Sequence, residues 1–198
     1  MSSFATLPAP GSHHVHRTWL HLLPCDPALV PPPPAVLAAE SVLIEAGLAR
    51  PDGAGAGLRP GPDWERLLST GGQARAGVAG DAGVRIEAGV LRAYPDPGPE
   101  GFDSQPLNDY QARCARCGEV LHLFALRFPL PDPMLAQCPR CSGVGDISQL
   151  EWTPELALAR MEVTLGPVLG RPSLASSPIF RALEAALRCR LREVHVSL

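Results

Sequence analysis

The chain contains no lysine. All 17 of its basic residues are arginine, and with the abundant Ala, Gly and Pro this reads as the coding bias of a GC-rich genome, not as an adaptation. Aromatic residues are also few, at 5%. Gly and Pro together make 42 of the 198 residues, so the ordered core is expected to be modest and to carry long irregular loops. A content of 45% apolar and 19% charged residues still allows one or two small domains. No run reaches the roughly 18 apolar residues that a membrane helix needs, and no basic start with a cleavable apolar core precedes residue 30. A cytoplasmic protein with no membrane contact is therefore expected. Positive charge is not in excess either. The formal net charge of −3 argues against nonspecific nucleic-acid binding by the whole chain, because each phosphate contact needs a cation.

Catalytic signatures are missing too. There is no P-loop, dinucleotide fingerprint, His-Glu-x-x-His or Gly-x-Ser-x-Gly motif. The run Gly53-Ala54-Gly55-Ala56-Gly57 follows no expected strand and opens no expected helix, so it reads as a loop. Glu184 and Glu193 have no partner carboxylate or His fixed near them by sequence, and read as solvated charges.

What is present is organised around Cys114-Ala115-Arg116-Cys117-Gly118 and Cys138-Pro139-Arg140-Cys141-Ser142-Gly143. Two Cys-x-x-Cys pairs separated by 20 residues have the spacing of a four-thiolate metal site built from two knuckles. Each knuckle can present two sulfurs to one ion, and Zn²⁺ prefers four soft ligands in a tetrahedron. Gly118 and Gly143 sit just past the turns, where a positive φ is often needed. Structural Zn²⁺ on Cys114, Cys117, Cys138 and Cys141 is the expectation. Iron in a two-knuckle site is the rival, but such sites lie under several aromatics, and here only Phe124, Phe128 and Trp152 are at hand. A redox disulfide explains the double spacing less well than shared coordination. A reducing compartment would keep all six cysteines as thiols. Cys25 and Cys189 read as small core hydrophobes, since neither has a His and an acid beside it. His14 and His16 share a strand face and could join His21 around a metal, although a polar edge strand accounts for them more simply. His122 falls near the cysteines, whose four sulfurs already close the coordination.

Around this centre the pattern predicts an α+β protein. Residues 1–13 are expected to be a disordered N-terminus. Strand formers fill 15–23, and a helix is expected over 35–49 with Val36, Leu37, Leu43, Ile44 and Leu48 on one side. A short helical turn is expected at 64–68 and a strand at 84–94 with Gly89 as a bulge. Val120, His122, Phe124, Leu126 and Phe128 alternate as one face of a strand within a hairpin joining the two knuckles. Met161, Val163 and Leu165 alternate as another strand. Ser177 and Pro178 then open a helix that buries Ile179, Phe180, Leu183, Ala186 and Leu187. Glu184 and Arg188 form an i,i+4 pair on its outer side, and Val194, Val196 and Leu198 line a last strand. Strand, helix, strand on either side of the cysteines suggests a split-βαβ (ferredoxin-like) sandwich, its halves at 14–110 and 153–198, with a zinc ribbon inserted at 111–152.

The central cysteines and the tail residues Phe180, Leu183, Glu184, Leu187, Leu191, Arg192 and Val194 together resemble small uncharacterised zinc-ribbon-containing proteins of GC-rich bacteria. The resemblance spans about residues 14–50 and 110–198. It implies the architecture and a metal, and no activity.

Three functional classes follow. A noncatalytic protein-interaction module stiffened by zinc fits the long loops and the missing catalytic motifs. The alternative is a nucleic-acid-associated ribbon protein, using Arg113, Arg116 and Arg140, with Arg127 nearby, to touch phosphates. Those four arginines oppose Glu119 and Asp132, and Zn²⁺ with four thiolates carries two negative charges, so the module is near neutral. A metal-dependent enzyme would need an open coordination position, which four thiolates do not leave. No enzymatic activity is expected.

Overall fold

The computed structural model describes residues 17–53, 57–68, 82–95, 110–123, 135–153, 156–169 and 172–197. The expectations for residues 1–13, His14, His16, Phe124, Leu126, Arg127, Phe128 and Leu198 lie outside the described residues.

Strand formers from Arg17 to Pro24 make β1, which lies inside a six-stranded sheet of order β10-β1-β9-β4-β3-β2. Its flanking partners are β10 (Leu191–Ser197) and the long β9 (Leu156–Leu169). Outside β9 lies β4 (Gly83–Pro95), followed by a small edge hairpin of β3 (Leu58–Pro60) and β2 (Ala49–Pro51). Every pairing is antiparallel. The expected bulge is present: Gly89 has φ +86°, and the β4–β9 register shifts between Ala88 and Arg92.

Two longer helices connect the strands, α1 (Pro33–Glu45) after β1 and α3 (Pro178–Leu187) after β9. The short α2 (Trp64–Leu68) follows β3. All three bury their apolar residues against one face of the sheet, where Leu20, Leu22, Met161, Val163 and Leu165 meet Ala39, Leu43, Trp64, Leu68, Phe180 and Leu183. The buried stripe of α1 is Ala35, Ala39 and Leu43, whereas Leu37 is 62% exposed and Ile44 lies at the surface. Large residues at Leu37 and Ile44 suggested the wrong side. The small side chains of Ala35 and Ala39 fit the tight space between α1, α3 and the sheet better. The helix ends where Gly47, at φ +70°, lets its N–H reach the Ile44 carbonyl and the Leu48 N–H reach that of Leu43.

In α3 the Ser177 hydroxyl accepts from the Phe180 N–H at 3.2 Å, as the sequence suggests, and Ile179, Phe180, Leu183 and Leu187 are buried. Glu184 does not pair with Arg188. Arg188 takes the left-handed conformation that stops the helix, and Glu184 turns to the Leu191 N–H at 2.9 Å and to Arg190. Glu193 likewise accepts from Ser173 and from the Leu174 N–H. Both acids tie backbone together and are not simply solvated. Val194 is buried, but with Leu23, Ala157 and Ala159, apart from the helix-side core. Cys25 is exposed and Cys189 half-buried, so the expectation of a core role fails for Cys25, which lies just beyond the strand end.

Candidate metal centre

Two three-residue-strand hairpins, β5–β6 and β7–β8, build the centre. The first pairs β5 (Gln111–Arg113) with β6 (Val120–His122), and the second pairs β7 (Leu135–Gln137) with β8 (Val144–Asp146). Each knuckle therefore sits in the turn of its own hairpin, and the expected hairpin joining the two knuckles would run through residues 124–134, which lie outside the described residues. The buried side chains of the first hairpin are Ala112, Leu121 and Leu123, while Val120 and His122 are exposed. Val120 and His122 do share one face, the exposed one, while Phe124, Leu126 and Phe128 lie outside the described residues.

The two knuckles repeat one backbone pattern. The Cys114 N–H donates to the Glu119 carbonyl at 2.9 Å, and Gly118 N–H returns to the Cys114 carbonyl at 2.9 Å. The Cys138 N–H donates to the Gly143 carbonyl at 2.9 Å, and Ser142 N–H returns to that of Cys138 at 3.0 Å. Gly118 (φ +71°) and Ser142 (φ 55°) occupy the equivalent left-handed positions. Ser142, not Gly143, is therefore the residue under backbone strain. Gly143 is needed for closeness instead. A Cβ there would lie 2.9 Å from Arg116 Cδ and 3.2 Å from Cys141 Sγ, and its N–H points at that sulfur from 3.4 Å.

All four Sγ atoms lie within 4.8 Å of one another. Cys114 and Cys141 sulfurs are 3.9 Å apart, and those of Cys117 and Cys138 3.8 Å. A tetrahedral ion with metal–sulfur bonds near 2.3 Å has sulfur–sulfur edges of about 3.8 Å. The spacing fits such an ion. Electrostatics point the same way. The Arg116 and Cys117 backbone amides draw the Cys114 thiol down to about 7. The Glu119 amide also lowers Cys117, but desolvation and the three neighbouring sulfurs outweigh it and push this thiol up to about 12. Four sulfurs this close cannot all ionise without a cation among them.

Cys114 and Cys138 are buried, Cys141 is half-buried and Cys117 faces solvent. The hairpins dock on the far end of the β4–β9 pair. There Tyr110, Leu121, Leu123, Ala136 and Ile147 pack with Leu156 and Leu158, flanked by Leu91, Ala93 and Trp152. Trp152 also donates its indole N–H to the Ile147 carbonyl at 3.1 Å. Arg113, Arg116 and Arg140 are exposed around the knuckles. Arg140 is bound to Glu119 at 2.7 Å, and Arg113 reaches the Gly118 carbonyl at 3.4 Å.

His21 lies away from the cysteines, on the sheet face opposite the helices. Its Nδ1 is 3.3 Å from Glu162 and 3.4 Å from Thr164, and its ring packs 4.4 Å from that of Tyr94. Tyr94 donates to the same Glu162 oxygen, and Arg92 approaches the other at 3.5 Å while binding Glu87 at 2.7 Å. Burial works against the Glu162 charge, but the hydrogen bonds from His21 and Tyr94 and the Arg92 charge outweigh it and hold its carboxyl down to about 2. Burial, with the negative Glu162 beside it, pushes the Tyr94 phenol well above its ordinary value. His21 and Glu162 are 141 positions apart, and no spacing in the sequence announces them. The alternation of Arg160, Glu162 and Thr164 with Met161, Val163 and Leu165 was the one available sign that this strand has a polar buried side.

No protein-family model, curated protein or solved structure matches this chain.

Proposed function

We propose that the chain is a zinc-stapled, nonenzymatic protein-interaction module. The observation that carries this reading is the four-sulfur cluster, whose 3.8 and 3.9 Å edges suit one tetrahedral ion. Zinc is the assigned metal because four thiolates are its preferred structural set, and aromatic cover at the site among the described residues is thin. The ion would be held by Cys114, Cys117, Cys138 and Cys141, would leave no open position for substrate, and would supply folding energy to hairpins too small to hold themselves.

The surrounding fold is read as a split-βαβ (ferredoxin-like) sandwich with the ribbon inserted at 111–152. The antiparallel order β10-β1-β9-β4, with α1 leaving β1 and α3 joining β9 to β10, supports it. The ribbon then occupies the connection between β4 and β9. The likeness to zinc-ribbon-containing proteins of GC-rich bacteria belongs to the same reading, as does a cytoplasmic location, which free thiols at all six cysteines favour. A protein partner is favoured over nucleic acid because Arg140 is already neutralised by Glu119. A groove of about 480 Å³ beside the first knuckle, lined by Gln111, Arg113, Val120, Leu150 and Glu151, offers mixed charge and apolar surface.

Metal analysis of the purified protein tests the assignment. One zinc per chain is expected, and Cys138→Ser should release it and make residues 111–150 sensitive to protease. Metal-free protein from zinc-replete medium, or iron in place of zinc, would reject the assignment. Micromolar binding of single- or double-stranded DNA or RNA that survives physiological salt, and is lost on joint replacement of Arg113, Arg116 and Arg140, would put the nucleic-acid alternative ahead.

A further inference from the structure

The groove beside the first knuckle has a wall made of backbone. In an antiparallel hairpin, alternate residues exchange hydrogen bonds with the partner strand, and those between turn their N–H and C=O outward. In the β5–β6 hairpin the inward positions are marked by the Leu123 N–H on the Tyr110 carbonyl at 3.1 Å and the Cys114 N–H on that of Glu119 at 2.9 Å. Ala112, paired with Leu121, falls between them. Gln111 and Arg113 therefore present their backbone groups at the outer edge of β5. Gln111 uses both of its own: its N–H donates to the Thr153 carbonyl at 3.0 Å, and the Thr153 N–H returns at 2.8 Å. One step further the ladder stops. Glu151 would oppose Arg113 in that register, but the backbone N–H and carbonyl of neither residue meet a backbone partner among the described residues. The two segments part there, and the groove of about 480 Å³ is lined from both sides. Its volume lies within the range of about 300 to 1,000 Å³ usual for ligand clefts.

Both walls are held in place from behind. On one side β6 fixes β5. On the other, a 3₁₀ turn at Ile147–Gln149 is capped by Asp146, which accepts from the Ser148 N–H at 2.9 Å. Ile147 is fully buried and its carbonyl accepts the Trp152 indole N–H. The side chains add charge of both signs. Arg113 and Val120 face each other at a pair that does not exchange backbone hydrogen bonds, so their exposed side chains lie close together. Arg113 makes a long contact with the Gly118 carbonyl at 3.4 Å, and neither it nor Glu151 has an ion-pair partner among the described residues. Arg140, by contrast, is occupied by Glu119.

We propose that this groove takes an extended peptide segment of a partner protein, which adds as a strand to the outer edge of β5 at Arg113 and carries side chains of both signs. The proposal rests on the protein-interaction reading above and names the form of the partner. An open strand edge offers a donor and an acceptor side by side, and another backbone in the extended conformation matches both. An acidic side chain of the peptide complements Arg113, a basic one complements Glu151, and an apolar one covers Val120 and Leu150. Nucleic acid fits the groove less well, because Glu151 repels phosphate.

The test selects from a displayed library of random short peptides on the intact chain as purified, at physiological salt, and titrates a selected peptide into ¹⁵N-labelled protein. Selected sequences carrying both an acidic and a basic residue are expected. The Arg113 amide should shift saturably and become protected from solvent exchange, while those of Ala112 and Cys114, already bonded across the hairpin, change less. Glu151→Arg, at an exposed position, should weaken the peptide about tenfold with metal content and melting unchanged. Peptides that bind and leave the Arg113 amide unprotected would overturn the groove proposal while the interaction reading stands. Enrichment of no peptide, or equal affinity in Glu151→Arg, would overturn the proposal as well, and the interaction reading is then judged separately by the nucleic-acid titration.

Discussion

Ser142 shows how one side chain can be read against its backbone. It sits at φ 55° in the place that Gly118 fills in the first knuckle, and left-handed backbone costs a residue with a Cβ about 1 kcal/mol. Ser142→Gly is expected to stabilise the metal-loaded protein by about 0.5 to 1 kcal/mol in chemical denaturation. Gly143→Ala should act in the opposite direction, because its Cβ would press on Arg116 and the Cys141 sulfur. Faster zinc loss to a chelator is the measurement there, and unchanged loss would mean that the second knuckle is looser than its geometry implies. Glu162 makes the second residue-scale prediction. Its carboxyl is held down to about 2 from an ordinary 4.5, so the native state favours the ionised form. The resulting stability is fully present above about pH 4.5 and is lost as pH falls towards 2. Its side chain is 4% exposed, and a depression of that size corresponds to on the order of 3 kcal/mol. Urea midpoints followed from pH 7 to pH 3 should fall less steeply in Glu162→Gln than in the unaltered protein. Parallel curves would show that the Glu162 network does not drive the acid sensitivity.

At the scale of elements, the helices separate what periodicity can tell from what packing decides. Leu37→Ser on the exposed side of α1 should change stability by no more than about 0.5 kcal/mol. Leu43→Ala, which empties a fully buried position, should cost about 2 to 5 kcal/mol. Equal losses would restore the helix face suggested by sequence. Ser177→Ala removes the acceptor for the Phe180 N–H and should cost about 1 kcal/mol. Elements whose signals are local were legible in the sequence: α2, the Gly89 bulge, the Ser177-Pro178 start of α3 and the cysteine knuckles. The side of α1 that is buried was not, because Ala35 and Ala39 give no hydrophobic signal to compete with Leu37. Ser142 gives no warning that it must do a glycine's work, and the His21–Glu162–Tyr94 group exists only after three distant strands come together.

For the whole molecule, β10 closes one side of the sheet and places Leu191 and Val194 in two different clusters. Deleting residues 190–198 removes both and turns β1 into an unpaired edge. The shortened chain should be insoluble or lose its cooperative melt, and a transition as sharp as that of the full chain would contradict the part assigned to β10. The two cysteine hairpins, by contrast, rest on the end of the β4–β9 pair, and the proposed reading makes them depend on one zinc ion. X-ray absorption at the zinc edge of the purified protein tests that dependence most directly. A single shell of four sulfurs at about 2.3 Å is expected, while zinc bound through nitrogen or oxygen, or no zinc at all, would overturn the assignment.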